Sequence, residues 1–463
     1  MLGKRWYVLF VASLLAFEQG WIWNTYGPIA SVVGRKDVFG WDDSILAMMG
    51  NWGPISYVLS FYPTAILLDS YGLRLSAVLC TSLLLLSSTT RLFATGTTET
   101  CTMWQHIGQF LNGVAGPFCM SAGTVLSSAW FAPGQRTTAT SIFVVANMAG
   151  VSASYIVGPM MVPAKTGTLE DVRRYLWLAF WMTLCSTALV LAYFPKKPVK
   201  ENAPSVSSTL SRTVSFDGMK KLLRHKQFWL LAVSYGAMTG IYSGWGPLYV
   251  IIMKYLGSGV VPNPQTTGEW VGFFSNISGN VAGLCISTIS DTLLKSRGVG
   301  LKRKILIAFS LMAAVLYILF SLVVVYPAWL EAIGLPGIYA LCIVGGTLIN
   351  STPPLFYELA VDAVFPIAEG LTTTVLTLTN NIGGLLFLLI PSLGIKPGPW
   401  VMFATAACCL LSAGCMACSN QQFARSKVDG LEGGGVTQSV YGTAGDDRTK
   451  LLQEGGVNRE QFA

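Results

Sequence analysis

Apolar runs long enough to cross a bilayer recur along the chain from residue 6 to residue 418, separated by short polar breaks. A membrane-spanning helix needs about 20 mostly apolar residues. Twelve stretches reach that length, near 6–31, 43–68, 73–95, 103–131, 139–164, 174–195, 227–254, 268–290, 304–327, 335–357, 367–394 and 399–418. They are continuous and lack the period-two alternation of barrel strands, so they predict helices. The longest internal polar segment, 196–226, is rich in Ser, Thr and Lys and falls between the sixth and seventh stretches. It divides the chain into an N-terminal half, 1–195, and a C-terminal half, 227–418, followed by a polar, Gly-containing tail, 419–463, whose composition predicts disorder. The expected fold class is an all-α membrane protein with twelve transmembrane helices in two six-helix halves.

Composition narrows the picture. The chain is 52% hydrophobic and 11% charged, against roughly a quarter charged in soluble domains. Its net charge of +8 resides in loops: 22 of the 30 Lys and Arg residues fall on the side that carries both termini and eight on the other. That bias orients the termini to the cytosol and removes the reason to expect nucleic acid as a partner. Lys4 and Arg5 before an apolar run resemble a signal peptide, but Glu18 and Gln19 follow without a small-residue cleavage site, so the run is read as the first helix. Ten scattered cysteines form no CxxC pattern, and neither a P-loop, HExxH nor GxSxG occurs. An enzyme, a cofactor, a metal site and direct nucleotide drive are therefore not expected.

Between the second and third stretches the chain reads LLDSYGLR, in which Asp69, Gly72 and Arg74 form the pattern D-x-x-G-x-R. With the six-plus-six layout, this resembles the major facilitator superfamily, where the motif latches helices on the cytosolic side and the two halves rock about a midplane site. WNTYGPI (23–29), WGPI (52–55), LNGVAGP (111–117), WFAPGQRTTATSI (130–142) and ELAVDAVFPIAEG (358–370) narrow the likeness. Together they resemble solute carrier family 49, the group of the feline leukaemia virus subgroup C receptors, and WNTYGPI with AYFP (192–195) is most similar to its lysosomal branch. The resemblance implies a lysosomal, proton-driven carrier of a small vitamin-like amine, with pyridoxine (vitamin B6) foremost. The receptor branch instead implies choline, ethanolamine or haem at the plasma membrane. A non-transporting receptor or nutrient sensor that signals through its tail is the rival from another class.

By the same resemblance, Trp23 matches a tryptophan that lines an amine site. An aromatic wall suits a quaternary amine by cation–π attraction or a stacked pyridine ring. Tyr26, three residues on, is its expected partner if the helix continues. GIYSGWGPLY (240–249) places Tyr242 and Trp245 in a glycine- and proline-broken seventh helix, and GWGP there mirrors WNTYGP in the first. Broken helices in corresponding positions of two repeats point to a transporter site. Met148, after Asn147, stands where choline carriers have a polar ligand, which argues against an unchanged choline site. Asn380 and Asn381 offer amides to the hydroxyls of a pyridinol-like ring, with an interhelical hydrogen bond as the alternative.

Glu18 is the clear acid deep within a predicted span, and such acids often relay protons. His106 is of the side-chain type that titrates near neutrality and is the second coupling candidate. Arg136, Glu358 and Glu369, with Asp362, lie at cytosolic helix ends as gate residues. Asp447, Leu451 and Leu452 form an acidic dileucine, D-x-x-x-L-L, of the kind a clathrin adaptor reads for lysosomal delivery. The expected partners are thus a small-molecule substrate, protons, membrane lipid and that adaptor.

Overall fold

The computed structural model describes residues 2–93, 96–195, 205, 207, 215–257, 259–297, 300–392, 398–419 and 425. The dileucine residues Asp447, Leu451 and Leu452 lie outside the described residues, as does most of the 196–226 segment. The N-terminal half holds α1 (Leu2–Trp23), α2 (Ala30–Val33), α3 (Asp43–Ile66), α4 (Leu73–Leu92), α5 (Glu99–Trp130), α6 (Arg136–Met161) and α7 (Leu169–Ala192). Helix α8 (Ser215–Arg224) precedes the C-terminal half, which holds α9 (Lys226–Tyr235), α10 (Ile241–Ser243), α11 (Trp245–Leu256), α12 (Pro264–Arg297), α13 (Gly300–Val325), α14 (Pro327–Asn350), α15 (Pro353–Ala363), α16 (Glu369–Ser392) and α17 (Pro399–Cys418).

Each half supplies six passes, because α9 to α11 form one broken pass, α14 and α15 another, and α2 and α8 are short connectors. The tenth pass starts at Gly334, whose φ of +59° interrupts α14 where the apolar pattern begins. The first pass ends earlier than its apolar run: α1 stops at Trp23, and residues 27–29 form a 3-10 turn around Pro28. Pro28 lacks the N–H that would continue the helix. Asn24, Thr25 and Tyr26 therefore leave helical register, and the spacing that pairs Trp23 with Tyr26 does not apply.

Six described passes are long and apolar enough to cross a membrane by composition alone: α4, α6, α7, α13, α14 with α15, and α17. Four of these, α4, α7, α13 and α17, pack mainly against helices of their own half. Helices with that placement face lipid on most of their circumference, so they need apolar side chains nearly all round. The two halves meet chiefly where α3 and α5 contact α16 and where α6 contacts α12 and α15. The N-terminal half keeps a core of its own, whereas the C-terminal core also takes in Ala65 of α3, with Phe61, Tyr62 and Val144 packed on it. Both described chain ends lie on one face: Trp6 meets Phe131 at 5.1 Å, and Arg425 approaches Glu358 at 3.8 Å. We call this the terminal face.

Candidate functional site

The site grows from two helix crossings that repeat one another. In the N-terminal half α1 passes so close to α6 that a Cβ on Gly20 would lie 2.2 Å from the Asn147 carbonyl oxygen, and one on Gly150 would lie 1.9 Å from that of Phe17. Asn147 Nδ2 donates to Gln19 Oε1 and to the Ala16 carbonyl, each at 2.8 Å. In the C-terminal half a Cβ on Gly240 would lie 2.8 Å from the Asn380 carbonyl, and one on Gly383 would lie 2.5 Å from that of Gly236. Asn380 Nδ2 donates to Thr239 Oγ1 at 2.7 Å. Gln19-Gly20 with Asn147-x-x-Gly150 thus matches Thr239-Gly240 with Asn380-x-x-Gly383 residue for residue. Small residues at such crossings let backbones touch, and the asparagines tie them.

This register assigns partners across the pseudo-repeat. Met148 corresponds to Asn381, each following its asparagine. Both face the other half: Met148 continues the stripe from Val144, which packs on the C-terminal core, and Asn381 lies one turn beyond Thr377 on the stripe that starts at Thr373. Trp23 corresponds to Ser243, not to the tryptophan of GWGP. The Trp23 indole is half-buried, donates to the Gly50 carbonyl at 3.0 Å, and lies so close to Gly53 that a Cβ there would come within 2.5 Å of Nε1. Its orientation is fixed before any ligand arrives.

Three expected site residues take other places. Trp245 is fully buried in the C-terminal core, where it donates to Thr405 Oγ1 at 2.9 Å and packs on Tyr249 and Tyr317. It offers a ligand no surface, and in the repeat register it matches the equally buried Thr25. Tyr242 is buried in the same half, its hydroxyl 2.8 Å from that of Tyr249. Tyr26 is buried beside Arg91, whose guanidinium carbon lies 4.9 Å from the ring centre, and its hydroxyl donates to Gln105. Arg91, counted above with the loop charges, is itself 1% exposed. It donates to the Ile22 carbonyl at 3.1 Å and to Thr25 Oγ1 at 3.2 Å, tying α4 to the broken end of α1. Its place at the end of an apolar run made it look like a loop residue.

Glu18 is 1% exposed and accepts a 2.7 Å hydrogen bond from Ser186 of α7, with its other oxygen unpartnered. It is turned into the N-terminal half, away from the stripe that faces the other half. His106, on α5 near the face opposite the termini, accepts from Trp52 Nε1 through Nδ1 at 2.9 Å.

The terminal face is closed. Asp69 accepts from the backbone N–H groups of Gly370 and Leu371 at 2.9 and 2.7 Å, which caps the start of α16. Gly72, at φ +84°, makes the turn that presents Asp69, while Arg74 is exposed. The C-terminal half answers in kind: Asp291 accepts from the Thr138 N–H at 2.8 Å and from its hydroxyl at 2.9 Å, which caps the start of α6. Each acid thereby satisfies open N–H groups and sits at the positive end of a helix of the opposite half. Asp291 had no D-x-x-G-x-R pattern to reveal it, only its place directly after the eighth apolar stretch, in the last turns of α12. Glu358 accepts from Thr140 at 2.7 Å and Ser127 at 3.3 Å, and Lys302 donates to Thr137 at 2.6 Å. Arg136 is buried and donates to Ser205 and Ser207, bringing these linker residues to the gate. Glu369 and Asp362 are also buried at this face and have partners. Deeper in, Tyr57 donates to the Thr374 carbonyl at 3.1 Å and Thr373 to that of Ser121 at 3.3 Å. Trp23, Met148 and Asn381 lie beyond this seal.

Known proteins share this fold. The model of the Major Facilitator Superfamily matches residues 9–391. The outward conformation of the superfamily transporter FucP superposes with a TM-score of 0.64 at 12% identity, covering 90% of this chain and all of that one. The proton:xylose symporter XylE superposes at 0.63 and 12%, covering 90% and 96%. Among sequences, the solute carrier family 49 member 4 homolog of Xenopus laevis is 32% identical over 92% of this chain and 93% of its own length. A choline/ethanolamine transporter of Danio rerio is 24% identical over 83% and 76%. The twelve passes, the paired crossings and these relatives agree: the chain is a multi-pass membrane transporter that belongs to solute carrier family 49 of the major facilitator superfamily.

Proposed function

We propose that the protein is a secondary active transporter that moves a small vitamin-like amine across the lysosomal membrane by alternating access, with pyridoxine as the substrate and protons as the driving ion. The observation that carries this reading is the likeness to the family 49 member 4 homolog along nine-tenths of both chains. The geometry supports a compact aromatic substrate: Trp23 stands with its N–H already used, and Asn381 supplies an amide on the facing half. The closed terminal face is assigned to the cytosol, the side to which the sequence pattern allots 22 of the 30 basic residues. The drive is assigned to Glu18, whose second carboxylate oxygen is free to take a proton, with His106 as the other candidate. Asp447, Leu451 and Leu452 deliver the protein through an adaptor.

The deciding experiment is uptake of labelled pyridoxine by proteoliposomes under an inward proton gradient. Saturable uptake that collapses with the gradient is expected; pH-independent or absent uptake overturns the reading. Glu18→Gln should lose proton stimulation, and full retention removes Glu18 from the mechanism. Replacing Leu451 and Leu452 by alanine should move the protein to the cell surface. Choline or ethanolamine is the second reading, favoured by relatives such as the Danio rerio transporter. Met148 weighs against it, and unlabelled choline in the same assay separates the two.

A further inference from the structure

The chain holds a concavity that shares no residue with the Trp23, Met148 and Asn381 set. It is a cavity of about 660 Å³ at the ends of α3 and α5 farthest from the terminal face, closed on one side by the loop before α3. Phe39, Trp41, Trp52 and Phe110 wall it, His106 lies within and Glu99 stands at one edge. That volume is in the range of small-molecule sites. Its rings are set in advance: Trp41 donates to Thr102 Oγ1 at 3.0 Å, Trp52 donates to His106 at 2.9 Å, and Phe110 meets Trp52 edge-on at 5.7 Å. With its indole N–H satisfied by protein, half-buried Trp52 asks no hydrogen bond of an occupant and offers its π surface beside half-buried Phe110, while Trp41, 4% exposed, is packed against Phe39 and Tyr26 and backs the wall. Glu99 is the one carboxylate among the described lining residues, which include no lysine or arginine. Aromatic faces with one acid select a flat cation over an anion or a neutral ring.

We infer that this cavity is an outer binding site for a small aromatic cation, one that captures substrate on the face opposite the termini. Its role in capture rests on the transport reading above; its existence does not. The test is equilibrium binding of N-methylated 3-pyridinemethanol, with the uncharged parent as comparator, to the full chain in nanodiscs. The cation should bind with two equivalents per chain. Trp52→Ala should remove one and Trp23→Ala the other, while Trp52→Phe restores the outer equivalent. Glu99→Gln, an exposed change that spares the fold, should weaken the outer equivalent about fivefold for the cation and leave the parent unaffected. If Trp52→Ala is not recovered folded, Phe110→Leu takes its place. Binding that is wholly unchanged by Trp52→Ala and by Glu99→Gln, or no binding of the cation at all, overturns the inference, whereas a single equivalent that Trp52→Ala removes upholds it and counts against the Trp23 site alone. Failure of pyridoxine transport with the outer equivalent intact would count against the transport reading alone.

Discussion

The two halves solve one packing problem with different tolerance. Each crosses its first and fifth passes on glycines backed by an asparagine, yet α1 is an unbroken helix at Gly20 whereas the seventh pass takes a π-helical turn at Gly236–Gly240. The N-terminal half also buries two charged side-chain types in its interior, Glu18 and Arg91, each without an ion-pair partner among the described residues. In the C-terminal half the buried charges that the described residues show, Asp291, Lys302, Glu358, Asp362 and Glu369, sit at the terminal face. The difference lies in where charge is buried, in the interior of one half and at the terminal face of the other, while each half shows a π-helical turn, at Leu67–Tyr71 and at Gly236–Gly240. π-Turns often mark functional sites.

The largest expected effect tests the two glycine crossings. Gly150→Ala places a Cβ 1.9 Å from a backbone oxygen that cannot yield, so a loss of about 3 kcal/mol, or of the monodisperse fraction in size-exclusion chromatography, is expected. Gly383→Ala meets its backbone at 2.5 Å beside the π-turn, and a loss of about 1 kcal/mol is expected in the same assay. Equal losses would erase the contrast between the halves.

Next is Arg91→Ala, which strands the Ile22 carbonyl, the Thr25 hydroxyl and the Tyr26 ring around an empty space. About 2–3 kcal/mol of thermal stability should go, with Tyr242→Phe, its neighbour in kind from the C-terminal half, costing about 1 kcal/mol for the hydroxyl contact with Tyr249.

The two latches come third. Asp69→Asn and Asp291→Asn each weaken a cap on the opposite half, at about 1 kcal/mol apiece. Labelling of a cysteine placed at Ser128 should accelerate about fivefold in either variant and multiplicatively in the double variant, since the two caps share no residue. A silent Asp291→Asn would leave Asp69 as the working latch.

The smallest effect is a pH dependence at the face opposite the termini. Thr168 and Asp171 cap α7 reciprocally, and the hydrogen bonds from the Thr168 hydroxyl and N–H hold the Asp171 carboxyl below the usual carboxylate range. A depressed carboxylate stabilises fully above its unfolded-state value and loses that contribution as pH falls through the lower folded value. The cap therefore survives mild acid. Thr168→Ala should lower the melting temperature at neutral pH and shrink the part of its fall in acid that Asp171 supplies, whereas α17, which starts at Pro399 with no side-chain cap, has no such dependence to lose.

The sequence by itself determined the class and layout. Twelve apolar runs, the 22-to-eight charge bias and D-x-x-G-x-R are local properties, and a lipid solvent enforces them helix by helix, so they are legible without tertiary contacts. The twelfth pass was read at 399–418, the bounds α17 has. The broken seventh pass was legible because Gly244 and Pro247 act on their own backbone. Tertiary structure alone decided which side chains face the centre. Trp245 and Tyr242 follow the same aromatic pattern as Trp23 yet pack inward, because one residue of register turns a side chain by about 100° around a helix. Asp291 as a latch, Arg91 as an interior tie and the Asn-x-x-Gly repeat emerge only when helices 66 or more residues apart in sequence cross. Burial and cross-helix distance are relations between segments, and no single segment's composition encodes them.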